Sequence, residues 1–326
     1  MPDHVERKIA LDYSSIRGFN YQPSYGSSGL ELWRKFDAAV IDKELGLGKK
    51  YFPGMNAIRL WLSSDAFDRK PRELADNFDK ALDIAAKYGL IVMPVLFNRW
   101  HDSALEYGGV FIDHFMDERY QGRRERMYMP YLEAVVGGHA EDPRVFAWDL
   151  CNEPFSYDVR REDMRDIIRA EYAWLEDMYR TCKQLGAKAP LTVGIHPGHG
   201  IPGIAQIEPI ADILSIHPYR SPGSEKQAYE RMLDDYAAFA EKVGKPLLST
   251  ETCWGSLDDQ ERVEIIRLEL GEQKKRGIGW LAYALHHSLV PDLHRPEFGP
   301  VGGPGYLAFI EADGALRPGH EVYNEY

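Results

Sequence analysis

Two glutamates, Glu153 and Glu251, each follow a short apolar run of the chain, at 145–150 and at 246–250. Each run is typical of a buried β-strand that brings a carboxylate to its C-terminal end. In a β/α barrel, that end of the strands carries the chemistry. Two carboxylates facing each other there can protonate a leaving group and attack the adjacent carbon, which is how glycosidic bonds are cleaved.

The elements that would position these glutamates are eight apolar β-type runs that alternate with amphipathic helical stretches. Runs that are apolar throughout are typical of a parallel sheet buried on both faces. Eight such units in 326 residues predict one α/β domain over residues 1–326, a single (β/α)8 TIM barrel. An open doubly wound sheet is the alternative, but it gives no reason for matched glutamates after two distant strands. The predicted strands are 16–21, 56–62, 90–97, 145–150, 191–195, 213–217, 246–250 and 278–285. The predicted helices are 30–45, 73–88, 163–185, 227–243 and 260–275, with a final helix near 306–310.

The overall composition excludes several classes of protein. A net charge of -12 argues against nucleic-acid binding, because phosphate recognition needs a basic surface. No stretch approaches the roughly 18 apolar residues of a membrane span. The N-terminus shows no apolar leader region, and 3 cysteines suggest no disulfide framework. These features predict a cytoplasmic protein, although a mature secreted chain would look the same.

Several motifs then match one family. The Asn152–Pro154 triplet follows an aromatic-acidic strand and is joined by the later Glu251. With Arg59 on the second strand and His217–Tyr219 at the end of the sixth, this pattern resembles the clan A glycoside hydrolases, and within the clan family 5. The resemblance covers essentially the whole barrel. It implies retaining hydrolysis of β-linked gluco- or manno-configured oligosaccharides or polysaccharides through a glycosyl-enzyme, with no metal or organic cofactor.

The resemblance also implies roles for the central residues. Glu153 would be the acid/base and Glu251 the nucleophile. Arg59 can favour the charged form of Glu251, and an arginine inside an apolar strand needs such a buried partner. Tyr219 can donate a hydrogen bond to the same carboxylate, and His217 would contact the sugar or the acid/base.

Further residues are expected around the sugar. By resemblance, Asn152 would bind the 2-hydroxyl of the sugar that is cleaved. Asn98 and Trp100, ahead of Glu106–Gly109, are similar to the Asn-Trp and Tyr-Gly-Gly pattern of family 5 mannanases. An ordinary glycine-containing loop explains the same residues equally well. Trp254, close after the second glutamate, is a candidate for a ring that contacts sugar.

Two positions depart from the family pattern. Phe97 stands where family 5 usually has a histidine at the end of the third strand, with His101 four residues later. Tyr283 takes the place of a tryptophan at the end of the eighth strand, while Trp280 is expected deeper in the barrel. Both departures concern the preference among sugars and leave the two carboxylates unchanged.

Alternative functions remain open at this point. An exo-acting β-galactosidase or β-xylosidase of the same clan fits the carboxylates equally, and a non-catalytic carbohydrate-binding barrel would be expected to have lost one of them. Zinc-dependent hydrolysis fits less well, because no His-x-His motif follows the first strand. A thiol mechanism through Cys151 or Cys253 also fits less well, because a cysteine in a buried strand is typical of a small hydrophobic residue. Endo and exo action fit these residues equally, and the sequence does not indicate an oligomeric state. The histidines considered for a metal are His196, His199, His286 and His287.

Overall fold

The computed structural model describes residues 11–99, 109–155, 164–220, 223–292 and 306–326. Within them, eight strands form a closed barrel in the order β1 to β8, and all neighbours pair in parallel. The predicted (β/α)8 barrel is confirmed, while a single domain over the whole chain stays a prediction. The strands are β1 (Arg17–Tyr21), β2 (Ala57–Trp61), β3 (Ile91–Asn98), β4 (Trp148–Asn152), β5 (Leu191–Ile195), β6 (Leu214–Ile216), β7 (Leu247–Ser249) and β8 (Gly279–Ala282).

Helices follow the strands and surround the barrel. None of those in the described ranges is long and apolar enough to cross a membrane. They are α1 (Gly29–Arg34), α2 (Ala38–Tyr51), α3 (Ser64–Arg69), α4 (Pro71–Lys87), α5 (Asp113–Met116), α6 (Tyr120–Arg123), α7 (Met129–Val135), α8 (Arg165–Gln184), α9 (Gly200–Ile207), α10 (Lys226–Val243), α11 (Asp259–Lys275) and α12 (Leu289–Asp292).

The predicted helix over 30–45 is two helices in the structure. α1 ends at Arg34, and Asp37 begins α2 as an N-cap, because its carboxylate accepts the N–H groups of Ala39 and Val40 at 3.0 and 3.1 Å. A side chain that accepts these N–H groups fixes a helix start at that residue. The apolar pattern on either side gave no sign of this cap.

The predicted final helix near 306–310 is wrong. The N–H groups of Phe309 and Ile310 donate to the carbonyls of Ala284 and Leu285, at 2.9 and 3.0 Å. Because these backbone groups pair with the chain beyond β8, the segment is extended. The last helical turn is instead a 3₁₀ helix at His320–Glu325.

The barrel interior contains two layers. Ala57 and Arg59 are two residues apart on β2, so their side chains face the same side of the strand. Ala57 belongs to a cluster near the beginning of the strands, the lower apolar layer, whereas Arg59 lies among polar side chains at the upper end. The lower apolar layer consists of Ile16, Ala57, Met93, Phe146, Ala147, Ile213, Leu248 and Leu281.

An irregularity in β4 shapes the upper layer. Asp149 pairs with Thr192 and Asn152 pairs with Gly194, so β4 has one more residue than β5 in the same interval. Such an extra residue is a β-bulge, and it reverses the alternation of side chains beyond it. Both Asp149 and Asn152 therefore bind Arg59, although a regular strand would place them on opposite faces.

Candidate active site

Arg59 is the centre of the upper layer and is 0% exposed. Its Nη1 lies 2.5 Å from Glu251 Oε1 and its Nη2 lies 2.7 Å from Asp149 Oδ2. It also donates to the side-chain oxygens of Asn20 and Asn152, each at 2.8 Å. Burial lowers the pKa of Arg59, but the charges of Asp149 and Glu251 outweigh burial and raise the pKa overall. The expected pair with Glu251 is present, and Asp149 is a second partner that the sequence analysis missed.

Glu251 follows β7 and is held from three sides. Besides the contact from Arg59, its Oε2 accepts a hydrogen bond from Tyr219 Oη at 2.9 Å, as the sequence suggested. His217 Nδ1 lies 3.5 Å from the same oxygen. Burial raises the pKa of Glu251 above its ordinary value, and His217 and Arg59 offset part of that rise. Arg59 thus favours the ionised carboxylate, but burial is the larger effect.

Glu153 directly follows β4 and has an unusual backbone conformation. Its φ is 44°, a value that residues other than glycine seldom adopt and that is often found at functional sites. Its N–H donates to the carbonyl of Gly194 at 2.9 Å, which fixes the turn to β5. Its Oε1 lies 2.8 Å from His217 Nδ1. Burial raises the pKa of Glu153, which favours the protonated acid.

His217 connects the two carboxylates because its Nδ1 contacts both of them. Burial lowers the pKa of His217 to about 4, so the ring is neutral near pH 7. A Cβ on Gly194 would lie only 2.6 Å from His217 Nε2, so glycine gives the ring its space. Sequence analysis did not single out Gly194. A glycine inside a predicted strand is the signal for such a close approach.

The two carboxylates lie close together. One oxygen of Glu153, one oxygen of Glu251 and a ring nitrogen of His217 all lie within 4.8 Å of one another. Both glutamates are 6% exposed, and each lies beyond the C-terminal end of its strand. Such a pair can share acid/base and nucleophilic roles at one carbon atom.

Asn98 and Asn152 lie beside this pair. Asn152 Nδ2 donates to Asn98 Oδ1 at 3.0 Å, and both side chains are buried in the upper layer. Phe97 does not reach the site, which corrects the expectation that it takes the place of the family histidine. Its ring packs against Tyr131 and Trp174, with centroids at 5.5 and 5.3 Å. Consecutive strand residues point to opposite faces, so Asn98 contacts Asn152 in the interior while Phe97 packs against the helices.

No protein-family model matches the chain. Mannan endo-1,4-beta-mannosidase 3 of Oryza sativa subsp. japonica is 26% identical over an alignment of 252 residues, covering 61% of this chain and 52% of that protein. The Glycoside Hydrolase Family 5 mannosidase of Rhizomucor miehei superposes with a TM-score of 0.65 at 14% identity, covering 95% of this chain and 92% of that one. The chain is therefore similar to the family 5 members of the clan A glycoside hydrolases.

A second structural neighbour of this family 5-like barrel is the exo-beta-1,4-mannosidase Op5Man5 from Opitutaceae bacterium strain TAV5. It superposes with a TM-score of 0.72 at 19% identity, over 94% of this chain and 58% of that one. Likeness at these identities shows the fold. The chain spans about half the length, or less, of the curated relatives it matches, with 52% for the probable mannan endo-1,4-beta-mannosidase A of Aspergillus flavus.

The family 5-like barrel carries aromatic rings around the carboxylates. Trp254 is half-buried and its ring meets Tyr219 edge-on, with centroids 5.1 Å apart. Tyr283 is buried, and its hydroxyl donates to Gln22 Oε1 at 3.3 Å. Gln22, just beyond β1, was not identified from the sequence. Trp100 lies outside the described residues.

Two other expectations concern residues away from the carboxylates. Trp280 is fully buried, but the prediction that it lies deeper in the barrel is wrong, because its ring points away from the barrel interior. Its Nε1 donates to Tyr323 Oη at 3.3 Å, and the Arg17 guanidinium lies 3.6 Å from the ring centroid. Leu281, the next residue, belongs to the lower apolar layer instead. Among the described residues, no set of three potential metal ligands includes His196, His199, His286 or His287.

Proposed function

We propose that this family 5-like barrel hydrolyses β-glycosidic bonds with retention of anomeric configuration. The observation that carries the proposal is the placement of Glu153 and Glu251 after β4 and β7, with carboxylate oxygens within 4.8 Å. Retaining enzymes keep their carboxyl groups about 5–5.5 Å apart, and inverting enzymes about 6.5–9.5 Å. The short separation supports direct attack by a carboxylate, because inverting enzymes hold their carboxyl groups farther apart to leave room for a water.

Glu251 is the nucleophile in this proposal. It receives the Arg59 guanidinium and the Tyr219 hydroxyl, two donors that stabilise an ionised carboxylate. Its attack on the anomeric carbon forms the glycosyl ester and removes its negative charge. Arg59 also contacts Asp149, so it has a second carboxyl partner when Glu251 is an ester.

Glu153 is the acid and then the base. Burial raises the pKa of Glu153, so the acid can keep its proton for the departing oxygen. When Glu251 becomes an ester, a neighbouring negative charge disappears, and the pKa of Glu153 falls. The same carboxylate then takes a proton from the incoming water. Neutral His217 keeps Glu153 in place through its Nδ1 contact during both steps.

The side chains around the pair supply the sugar contacts. Asn152 is placed by Arg59 and Asn98 next to Glu153 and can bind the 2-hydroxyl, a contact that strengthens in the transition state. Trp254 and Tyr283 offer apolar ring surface for a pyranose.

The substrate class we propose is a β-1,4-linked manno-configured saccharide, with gluco-configured saccharides second. The names of the curated relatives support the mannosides. Galactosides and xylosides fit the carboxylates equally and belong in any test. We also propose that the protein works in the cytoplasm. All three cysteines are buried free thiols, which supports a reducing compartment.

The test is hydrolysis of p-nitrophenyl β-glycosides and β-linked oligosaccharides by the wild type and by Glu251→Ala. We expect activity on mannosides, with the β-anomer formed first in NMR spectra, and no activity from Glu251→Ala. Glu264→Ala, which removes an exposed glutamate of α11, is the matched control and should keep wild-type rates.

Two results would contradict the proposal. An α-anomer as the first product would refute retention. A wild type that cleaves none of these substrates, while the same sugars raise its melting temperature, would favour a carbohydrate-binding barrel without catalysis.

A further inference from the structure

The loops that carry Glu153 and Glu251 share a backbone feature. In each loop, the second residue after the glutamate has a positive φ although it is not glycine: Phe155 at 58° and Cys253 at 68°. Such conformations cost free energy and persist only where surrounding contacts enforce them. Because the same conformation occurs just after both Glu153 and Glu251, the contacts that enforce it are candidates for fixing the positions of the two carboxylates.

The contact that enforces each conformation is the same. The N–H of Phe155 donates to Glu171 Oε1 at 3.0 Å, and the N–H of Cys253 donates to Glu269 Oε2 at 2.6 Å. Glu171 and Glu269 lie on α8 and α11, the first long helix after each loop, and both are 0% exposed. Burying a carboxylate is unfavourable unless hydrogen bonds satisfy it, so neither glutamate is an ordinary helix residue.

Glu171 also ties the acid/base loop to β3. Its Oε1 accepts Arg99 Nε at 2.7 Å, and Arg99 follows Asn98 directly. Arg99 in turn donates to the carbonyl of Val110. Glu171 therefore fixes the loop after Glu153 to the strand end that carries Asn98.

Glu269 ties the nucleophile loop to β6. Its Oε2 also accepts the hydroxyl of Thr252 at 2.7 Å, and its Oε1 accepts the N–H of Arg220 at 2.9 Å. Thr252 follows Glu251, and Arg220 follows Tyr219. One buried carboxylate thus sets the distance between Glu251 and the Tyr219 hydroxyl that binds it.

We propose that Glu171 and Glu269 are positioning residues for the reaction, Glu171 for the acid/base Glu153 and Glu269 for the nucleophile Glu251. This inference rests on the proposed function. The two roles predict different kinetic effects. Protonation by Glu153 matters only for poor leaving groups, so loss of Glu171 should slow only their cleavage, whereas attack by Glu251 matters for every substrate, so loss of Glu269 should slow all cleavage.

The test compares Glu171→Gln with Glu269→Gln on two β-mannosides, one with an activated dinitrophenyl leaving group and β-1,4-mannobiose with a poor one. The change to glutamine keeps the shape and replaces one acceptor oxygen by a donor. For Glu171→Gln, kcat/KM should fall about 10–100-fold on mannobiose and much less on the dinitrophenyl glycoside. For Glu269→Gln, kcat/KM should fall by similar factors on both.

A matched control is Glu44→Gln. Glu44 is also a buried glutamate on a helix, and it accepts the Tyr21 hydroxyl at 2.7 Å; within the described ranges its other polar contacts are with Ser24 and His286, outside both loops. It should lower the melting temperature while leaving the ratio of the two kcat/KM values at the wild-type value. Active sites are counted from the burst of dinitrophenol released by a 2-fluoro mannoside, so loss of folded protein does not imitate a kinetic effect.

A loss confined mainly to mannobiose in Glu171→Gln, together with a similar loss on both substrates in Glu269→Gln, supports the inference. Equal loss on both substrates by Glu171→Gln, or wild-type rates in both variants, overturns it. A wild type inactive on both mannosides, and on the wider glycoside panel, would instead refute the proposed function, and the inference with it. If a glutamine variant does not fold, Glu171→Asp and Glu269→Asp, which keep the charge but shorten its reach, take the same test with the same expected pattern.

Discussion

Tyr219→Phe is a small change with a defined electrostatic effect on Glu251. The tyrosine hydroxyl donates to Glu251 Oε2 at 2.9 Å, and phenylalanine removes only that oxygen. The ring that meets Trp254 stays in place. The substitution therefore isolates one hydrogen bond to the proposed nucleophile.

The size of the effect follows from the charge of the acceptor. A hydrogen bond to a charged group contributes about 1.5–3 kcal/mol, and one pKa unit corresponds to about 1.4 kcal/mol. The donor stabilises the ionised carboxylate, so its loss raises the pKa of Glu251 by about 1–2 units. Activity that needs ionised Glu251 is then lost at a higher pH as the solution is acidified.

The assay is the pH dependence of kcat/KM on a dinitrophenyl β-mannoside, which reports the free enzyme. Because Glu153 and Glu251 titrate together, the acidic limb gives the lower apparent pKa of the pair. We expect this limb to move up by about 1–2 units in Tyr219→Phe. Tyr21→Phe, which removes the buried hydrogen bond to Glu44, should leave the limb in place. An acidic limb that stays, or moves to lower pH, in Tyr219→Phe would refute this account of Glu251.

Three further predictions concern the neighbours of Glu251. Glu153→Ala should abolish cleavage of mannobiose but still form the glycosyl-enzyme from an activated aryl glycoside, with azide yielding a β-azide; an α-azide, or no rescue, would count against the acid/base role. Asp149→Asn removes one of the two carboxyl groups that contact Arg59, so the free energy of unfolding measured in urea should fall by about 3 kcal/mol. An unchanged free energy of unfolding would contradict the importance of the Arg59–Asp149 pair. Gly194→Ala puts a methyl group 2.6 Å from His217 Nε2 and should cost about 1–3 kcal/mol of stability together with a lower kcat/KM, whereas wild-type behaviour would show that the ring has room to move.

The parts of the site that sequence could predict are those fixed by topology. Parallel strands all end at one edge of a barrel, so recognising the strands was enough to bring Glu153 and Glu251 to the same end. A charge inside an apolar strand has to find a partner, which identified the Arg59–Glu251 pair. Neither inference required a precise side-chain direction.

What sequence could not predict depends on single-residue register and on contacts between distant segments. The bulge in β4 turns Asn152 to the same face as Asp149, so that both bind Arg59, and no residue type in that strand indicates it. Phe97 lies in the helix layer and Asn98, the next residue on β3, lies at the site. Because successive strand residues face opposite sides, an error of one residue in the register puts the wrong side chain at the site. Glu171 and Glu269 look like ordinary charged helix positions until the loops that they bind are known.

The two layers of the barrel interior place thermal stability and sugar preference in different sets of residues. The same strands supply both layers, and the lower apolar layer contains only aliphatic, thioether and phenyl groups. A heat-tolerant variant can therefore be sought by repacking the lower apolar layer at Ile16 and Phe146, which precede β1 and β4. A change of sugar preference has to be sought at Trp254 and Tyr283, at the other end. Substitutions that adapt the protein to a higher temperature are therefore expected near the beginning of the strands, and substitutions that adapt it to another sugar near their C-terminal ends.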